Sequence, residues 1–587
     1  MKKTIAISIV ASTILFGAGA SATNLSTDQV NEAKNSNMTN ATVNQGTMDI
    51  TDTSTVTNYA HGGHGSEGAN KNTIDGTTIN GASESLITID QGRLKATNGT
   101  TVNNSNDHSE NIIENGTIDA TASSSITIKQ GDIEINGGTY DNMEVHSINN
   151  MTDIDIDASN DVNTIVTQAT LVVDANLTGG TGADYTKIIT ENTINQGSIL
   201  NSTVKQAHTE IKSGAKVYGL DIDQVNTITA YNGDYSDMNG STVLQGVTKI
   251  DGANTDVTNL KIDTRNNLNG VDTTSSFIVQ NHTNIHSSST VNGMTITTTG
   301  QHNTIQNVDA TDSQISQNTI NMENGSSVTN FSTTHNNIIS NATLEGVHIG
   351  QDILDLNNST LADGVAIQST NKIDNITSID KNDIHQAVTV VDSTTLNSST
   401  SIVSNNTIEH IDLNNGDISQ SYVSLVNNGN MGTLDLNNIN LVTGVAVGGS
   451  DMNSSSISQA EFIMKNSTLT GSLTQDARSE VEKVDLSNSH IAQAKVSIGK
   501  STVSNITLGN NTARITNDID SPSITDSTVS QNGLKICNAN VNTLTVAQDN
   551  DLNGGNIDHS TIVQGNINIE GTGTACVFAS AEHAHKY

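Results

Sequence analysis

The chain of 587 residues has little of what builds a thick globular core. It contains no tryptophan, its aromatic residues amount to 2%, and its hydrophobic residues amount to 33%. Aromatic side chains contribute much of the packing in compact cores, so their scarcity favours a thin core lined by Ile, Val and Leu. Proline occurs once, at Pro522. Because proline donates no backbone hydrogen bond, its near absence leaves almost every N–H available to a β-ladder.

Basic residues are also scarce. The chain has 24 Lys and Arg against 61 Asp and Glu, which gives a formal net charge of −37. Such a chain repels nucleic acid and anionic membranes, so we expect no nucleic-acid partner and no membrane insertion. Polar, acidic chains are often disordered, and disorder is the alternative to a fold here. The regular phase of the aliphatic residues argues against it.

A short motif returns along most of the chain. An aliphatic residue is followed two positions later by Gln and, five positions after that, by another aliphatic residue, as in Val204, Gln206 and Ile211. Successive copies lie 33 to 46 residues apart, at Gln45, Gln91, Gln130, Gln168, Gln206, Gln245, Gln280, Gln317, Gln351, Gln386, Gln420, Gln459, Gln493, Gln531 and Gln564. A period of this length is typical of a solenoid, which grows by adding coils.

Apolar and polar residues alternate around each Gln. Between Ser125 and Ile135 the alternation is interrupted only at Gly131. This pattern predicts short, half-buried strands joined by turns or bulges, and the dominance of β-branched residues disfavours helix. We therefore predict an all-β fold, an elongated β-solenoid (β-helix) of about fifteen repeats of roughly 37 residues. The repeat domain is expected over residues 41–570.

A second marker, Asn followed two positions later by Ile, occurs about 20 residues after a Gln in several repeats. Its copies are Asn192, Asn226, Asn303, Asn371 and Asn406. An apolar segment lies between the two markers. Whether one repeat forms one large coil or two smaller ones stays open at this point.

The fixed phase of the Gln residues has a physical interpretation. A side-chain amide carries a donor and an acceptor, so identical amides in successive coils can hydrogen-bond along the solenoid and fix its register. We predict such a structural ladder for Gln130, Gln168, Gln206, Gln245, Gln280, Gln317, Gln459, Gln531 and Gln564. A Gln array that binds a ligand is the alternative. If the motif is scaffold, function is expected where the repeat fails, as near His61.

Ser-Thr-Val-Leu-Gln-Gly at Ser241–Gly246 and Ser-Thr-Ile-Val-Gln-Gly at Ser560–Gly565 resemble the repeats of curlin-type fibre subunits. Those secreted bacterial proteins form β-solenoid functional amyloid in biofilms. The resemblance implies a self-assembling extracellular subunit. It covers only the short motif, because the repeats here are longer and poorer in aromatic residues.

The N-terminus has the pattern of a secretory signal peptide. Two lysines precede an apolar stretch over residues 5–16, too short to span a bilayer, and residues 20–22 offer a small-residue cleavage site. We predict a signal peptide over residues 1–22, a polar segment over 23–40 and a C-terminal tail over 571–587. The protein is then expected to be secreted or displayed at a bacterial cell surface.

Cys537 and Cys576 are the two cysteines, and they lie about one repeat period apart. In an exported protein we expect them to form a disulfide that staples neighbouring coils near the C-terminus. Two free thiols are the alternative.

Asp153, Asp155 and Asp157 place alternate carboxylates on one side of a predicted strand. Their mutual repulsion would be relieved by Ca²⁺, which prefers oxygen ligands, so a Ca²⁺ site is predicted there. A solvated acidic face is the alternative. No other cofactor is expected.

No nucleophile elbow or phosphate loop stands out, and 61 scattered acidic residues do not single out a catalytic pair. We expect no enzyme and no catalytic residues. The predicted function is that of a secreted structural surface or extracellular-matrix protein, in the form of a self-assembling fibre subunit that contributes to biofilm or cell adhesion. We expect self-association, with surface glycans or the extracellular matrix as further partners. The alternatives are a monomeric adhesin rod that binds glycans or host surfaces, and a β-helix polysaccharide lyase or hydrolase.

Overall fold

Every element that the structure describes is a β-strand, and the strands pair in parallel. The structure is a computed structural model that describes residues 8–11, 14–16, 21–23, 26–27, 30–35, 37–39, 42–50, 55–61, 70–81, 86–120, 125–158, 163–178, 186–196, 200–230, 236–297, 303–397, 399–410, 413–444, 450–509 and 515–570. The predicted all-β solenoid is confirmed. Across these residues, no helix is long and apolar enough to cross a membrane.

The strands up to residue 297 are β1 Ser8–Ala11, β2 Ile14–Phe16, β3 Ser21–Thr23, β4 Ser26–Thr27, β5 Val30–Lys34, β6 Asn37–Thr39, β7 Thr42–Gln45, β8 Met48–Ile50, β9 Thr55–His61, β10 Asn70–Asp75, β11 Thr78–Gly81, β12 Leu86–Gln91, β13 Leu94–Ala120, β14 Ser125–Gln130, β15 Ile133–Ala158, β16 Asn163–Gln168, β17 Leu171–Thr178, β18 Thr186–Gln196, β19 Ser202–Gln206, β20 Thr209–Ile211, β21 Lys216–Ala230, β22 Ser236–Asp237, β23 Thr242–Gln245, β24 Thr248–Asp251, β25 Asp256–Thr274, β26 Phe277–His286 and β27 Thr290–Thr297. Those that follow are β28 Asn303–Thr311, β29 Gln314–Glu323, β30 Ser327–Glu345, β31 His348–Asn357, β32 Thr360–Asp380, β33 Asp383–Asp392, β34 Thr395–Leu396, β35 Thr400–Glu409, β36 Leu413–Asn414, β37 Asp417–Gln420, β38 Val423–Val426, β39 Asn430–Met431, β40 Leu434–Thr443, β41 Ser450–Asn453, β42 Ser456–Gln459, β43 Phe462–Lys465, β44 Thr468–Glu482, β45 Val484–Ser487, β46 His490–Gln493, β47 Val496–Gly499, β48 Thr502–Leu508, β49 Ile515–Thr525, β50 Thr528–Gln531, β51 Leu534–Cys537, β52 Asn540–Val546, β53 Gln548–Asp558, β54 Thr561–Gln564 and β55 Ile567–Glu570.

Strand partners lie one repeat apart, so each repeat forms a single coil. β19 pairs with β16 on one side and with β23 on the other. In this register Gln206 faces Gln168 and Gln245, which are 38 and 39 residues away. Two smaller coils per repeat would halve that spacing, so the question left open by the sequence is decided in favour of one large coil.

The chain divides into two compact units, the first mainly Met1–Thr283 and the second mainly His302–Tyr587. Each encloses a thin aliphatic interior. In the first unit Ile128, Val166 and Val204 stack in register and are buried. In the second unit Ile457 and Ile491 do the same. Each of these aliphatic residues lies two positions before a Gln of the motif. Because side chains alternate between the two faces of a strand, the aliphatic residue and the Gln both point into the interior.

Single residues with positive φ form corners in the coils. The residue after each Gln of the motif has this conformation: Gly46, Gly92, Gly131, Ala169, Ala207, Gly246, Asn281, Asn318, Asp352, Ala387, Ser421, Ala460, Ala494, Asn532 and Gly565. Glycine is required where the interior is crowded, since a Cβ on Gly131 would lie 2.1 Å from Ser147 Oγ. A one-residue corner bends the strand while its neighbours keep pairing, which explains the abundant Gly and Asn.

Candidate functional site

Glutamine side chains form hydrogen-bonded ladders inside both units. In the first unit, Nε2 of each Gln donates to Oε1 of the preceding one at 2.8 to 3.0 Å, for Gln91, Gln130, Gln168, Gln206, Gln245 and Gln280. In the second unit the same bond measures 2.7 to 3.0 Å for Gln351, Gln386, Gln420, Gln459, Gln493, Gln531 and Gln564. Nε2 of Gln206 also donates to the carbonyl of Thr227, 3.3 Å away. Both ends of each inner amide are thus engaged within the fold.

A second ladder, which the sequence did not predict as such, consists of asparagines. Nδ2 of each Asn donates to Oδ1 of the next at 2.8 to 3.1 Å, through Asn31, Asn72, Asn111, Asn149, Asn192, Asn226 and Asn266 in the first unit and through Asn303, Asn337, Asn371, Asn406 and Asn440 in the second. The Asn-x-Ile marker belongs to this ladder. Its recurrence was visible in the sequence, but its contact between coils depended on knowing that one repeat is one coil.

Among the described residues of the second unit, the asparagine ladder has one interruption, at Ser479. The next position after Asn440 is occupied by Ser479, and the position after that by Asn517. A serine hydroxyl is too short to bridge two amides that are about two strand spacings, or roughly 9.6 Å, apart. The ladder resumes from Asn517 to Asn550, at 3.0 Å.

Asp153, the first of the three aspartates predicted to bind Ca²⁺, lies at a corner of its strand. Asp153 is exposed and has a φ of 54°, so it forms a corner. Asp155 and Asp157 follow it in register with Thr117 and Asp119 of the preceding coil. The regular alternation of side chains is interrupted at Asp153, because a left-handed residue breaks the period of two. The side chains of Asp155 and Asp157 lie outside the described residues, and the Ca²⁺ site stays a prediction.

Among the described residues, one group brings three metal-ligand atoms within 4.8 Å of one another: Asp374, Glu409 and His410. The ammonium group of Lys372 already lies beside these carboxylates. Lys372 Nζ lies 3.2 Å from Asp374 and 2.8 Å from Glu409, and His410 Nδ1 lies 2.9 Å from Asp374. The hydrogen bond to Glu409 raises the pKa of Lys372. Burial raises the pKa of Asp374, but its bonds to His410 and Lys372 outweigh burial and leave that pKa lowered. The cluster is an ionic network in which Lys372 bridges the two carboxylates.

A nucleophile, a base and a carboxylate meet in the interior of the second unit. Thr333 Oγ1 lies 2.7 Å from His335 Nε2, and His335 Nδ1 lies 3.2 Å from Asp352 Oδ1. Their exposed fractions are 2%, 1% and 7%. Because all three are buried, this arrangement is a hydrogen-bonding feature of the core. Sequence spacing gave no signal for it, since His335 and Asp352 belong to different strands of one coil.

Several sequence predictions concern residues outside the described part. Cys537 is buried in β51, whereas Cys576 is outside the described residues, so their pairing stays a prediction. Residues 571–587, predicted as a tail, are outside the described residues. Of residues 1–22, predicted as a signal peptide, the described pieces form β1, β2 and the start of β3, which pair with β7, β8 and β9, and the signal peptide stays a prediction.

The last described coil presents an aliphatic edge. Ile567 and Ile569 are 49% and 65% exposed, whereas Leu534 and Ile536, their register partners in the preceding coil, are 2% and 5% exposed. β55 pairs with β51, and within the described residues its other edge has no strand beside it. As far as the structure describes the chain, the interior columns of the second unit therefore finish at isoleucines in contact with solvent.

No family model and no curated protein matches this chain. These comparisons give no support to the curlin-type resemblance, which remains an interpretation of the short motif.

Proposed function

We propose that this protein is a structural component of a cell surface or extracellular matrix that self-associates through the edge of a coil. The observation that carries the proposal is the aliphatic edge formed by Ile567 and Ile569. A strand added beside β55 would pair with its backbone groups and bury both isoleucines, as in β-strand addition.

A second copy of this chain is the partner that fits this edge. Within the fold, aliphatic residues stack on aliphatic residues of the next coil, and Gln bonds to Gln. At the edge, Gln564 donates Nε2 to Gln531 at 2.7 Å, and no described residue donates to its Oε1. The edge therefore presents the same aliphatic and glutamine side chains that stack between coils inside the fold. A coil of a second copy carries matching side chains.

Net charge sets the conditions for assembly. Because each copy of the chain has a formal net charge of −37, the copies repel one another. At about 0.1 M salt the screening length is about 10 Å, so salt or Ca²⁺ should permit close contact that low salt prevents. In this role the protein lies outside the cell, exported by the segment over residues 1–22, and needs neither catalysis nor a cofactor.

The test is assembly of the purified chain beginning at residue 23, with and without added NaCl or CaCl₂, followed by sedimentation and electron microscopy. Fibres or end-joined oligomers are expected. The double variant Ile567→Lys, Ile569→Lys should remain monomeric, because two charges would be buried at the contact. Both side chains are already exposed, so folding should survive.

Asn568→Lys, which adds charge on the opposite face of the same strand, is the matched control and should assemble. Wild-type protein that stays monomeric in every condition, or a double lysine variant that assembles as well as wild type, would overturn the proposal. If only a chain truncated after Glu570 assembles, the intact chain covers this edge with its own residues 571–587, and self-association is likewise rejected.

A further inference from the structure

A shallow groove lies on the outer face of the first unit, across strands β17, β21 and β25. Its side chains form two columns in register, Asn176, Lys216 and Asp256 in one, and Thr178, Tyr218 and Thr258 in the other. The groove has a volume of 330 Å³. That volume lies at the lower end of the range of about 300–1,000 Å³ found for ligand sites.

Tyr218 is an unusual residue for this surface. The chain has 8 Tyr, 5 Phe and no Trp, and Tyr218 is 38% exposed. By contrast Tyr140 and Tyr422, in other coils, are 1% and 2% exposed. An exposed aromatic ring loses the packing that it would gain in the interior, and it offers a surface on which an amphipathic ligand can pack.

The groove contains two charged side chains, Lys216 and Asp256, that have no side-chain partner among the described residues. Lys216 and Asp256 occupy neighbouring coils in register, yet neither side chain forms a hydrogen bond or ion pair with a described residue. In the same two coils, Lys261 and Asp221 do pair across the same spacing, with 3.2 Å between Nζ and Oδ1. The groove therefore offers a free donor and a free acceptor on either side of its aromatic column.

We propose that this groove binds a neutral oligosaccharide. The C–H face of a sugar ring packs on the ring of Tyr218, while its hydroxyls accept from Lys216 and donate to Asp256. A hydroxyl both donates and accepts, so it suits a site that presents amide, ammonium, carboxylate and threonine groups together. Neighbouring coils lie about 4.8 Å apart, so a sugar ring on Tyr218 is within reach of the different polar groups that the two flanking coils present.

Other ligand classes fit less well. An extended peptide added as a strand needs a free backbone edge, but β21 is paired with β17 on one side and β25 on the other. A polyanion, nucleic acid included, would meet the net charge of −37. The inference is independent of the proposed self-association, which involves the second unit.

The test is fluorescence polarisation with labelled cellohexaose, mannohexaose and chitohexaose as neutral probes and hexagalacturonate as an acidic probe. All groove variants are made in the monomeric Ile567→Lys, Ile569→Lys chain, called the host. Assembly then does not change the polarisation signal. At least one neutral hexaose should bind, and Tyr218→Ala should weaken it about ten-fold or more, a loss of about 1.4 kcal/mol. Tyr218→Phe should retain binding, because the ring is kept.

Lys261→Ala, a charge loss on the same outer surface outside the groove, is the control and should bind like the host. An unchanged far-ultraviolet circular dichroism spectrum verifies that each variant is folded. Failure of every neutral hexaose to bind, binding of hexagalacturonate alone, or equal binding by the host and Tyr218→Ala would each reject the proposal. None of these outcomes affects the assembly experiment.

Discussion

Asn440 and Asn517 lie on either side of Ser479 with complementary groups that have no partner. Nδ2 of Asn440 and Oδ1 of Asn517 are buried and form no hydrogen bond with the described residues, and the same holds for Oγ of Ser479. Elsewhere in the ladder, Nδ2 of each Asn donates to Oδ1 of the next. An amide side chain at position 479 would accept a hydrogen bond from Asn440 Nδ2 and donate one to Asn517 Oδ1. The serine at this position therefore lowers the stability of the second unit.

The first prediction fills that gap. Ser479→Asn should stabilise the second unit by roughly 1–3 kcal/mol, because two buried groups gain partners. Urea unfolding measures the change as a higher midpoint. Ser479→Ala, which removes the unpartnered hydroxyl but bridges nothing, is the control. Equal midpoints for the two variants would show that the amide makes no ladder contact.

The second prediction breaks an intact ladder. Gln206→Leu leaves Oε1 of Gln168 and Nε2 of Gln245 without their ladder partner. Each unpaired buried group costs about 1–3 kcal/mol, so the first unit should lose about 2–6 kcal/mol of unfolding free energy. Lys205→Leu, the adjacent half-buried residue of the same strand, should change the urea midpoint little. Similar effects for both variants would contradict a structural role for the amide.

The third prediction concerns the corner at Ala207, which is buried and has a φ of 57°. Ala207→Val should destabilise by about 2 kcal/mol or more, because a β-branched residue is strained in this conformation. Ala207→Gly should be close to neutral, since relief of strain offsets the greater freedom of the unfolded chain. Thermal unfolding separates the two variants. A valine variant as stable as wild type would mean that the corner rearranges.

The fourth prediction is a pH dependence at Asp132. Burial raises the pKa of this carboxyl to about 6, although Thr170 N–H and Thr167 Oγ1 donate to it at 3.1 Å. Between pH 3.8 and 6 the unfolded chain ionises first, so stability falls as pH rises through this window. Asp132→Asn should therefore stabilise the protein by up to about 3 kcal/mol above pH 6. Denaturant titrations at pH 4 and pH 8 should show this gain only at pH 8.

The fifth prediction is a loss of stability as the pH falls, caused by His282. Burial lowers the pKa of His282 to about 4, below its ordinary 6.5. Between these values the unfolded chain takes up a proton that the folded chain does not, so stability falls as pH falls from 6.5 towards 4. His282→Gln should flatten this decline while leaving stability at pH 8 little changed. An equally steep decline in the variant would assign the acid sensitivity to other groups.

Much of the scaffold was predictable because its determinants are periodic. Val204, Gln206 and Ile211 recur at one phase, and burial of alternate residues follows directly from the geometry of a strand. The predicted solenoid depended on this phase. The corner at Asp153 could not be predicted in this way, because an aspartate in a left-handed corner looks the same in sequence as an aspartate in a strand.

Residues that meet through the stacking of coils or across a coil could not be found this way. Asn192 and Asn226 were visible as a recurring marker, but their hydrogen bond exists only because one repeat is one coil. His335 and Asp352 are 17 residues apart and meet across the interior. No local pattern fixes such a distance.

The sequence by itself determined a β-solenoid with an aliphatic and amide interior, because the period of two within strands and the recurrence of Gln leave few other ways to bury those residues. Tertiary structure decided how many coils a repeat forms and where single residues turn the chain. Within the described residues it also decided that Lys216 has no side-chain partner and that the aliphatic columns reach the exposed Ile567 and Ile569. These depend on register between distant segments, which is set by the packing of whole coils and not by any short stretch of chain.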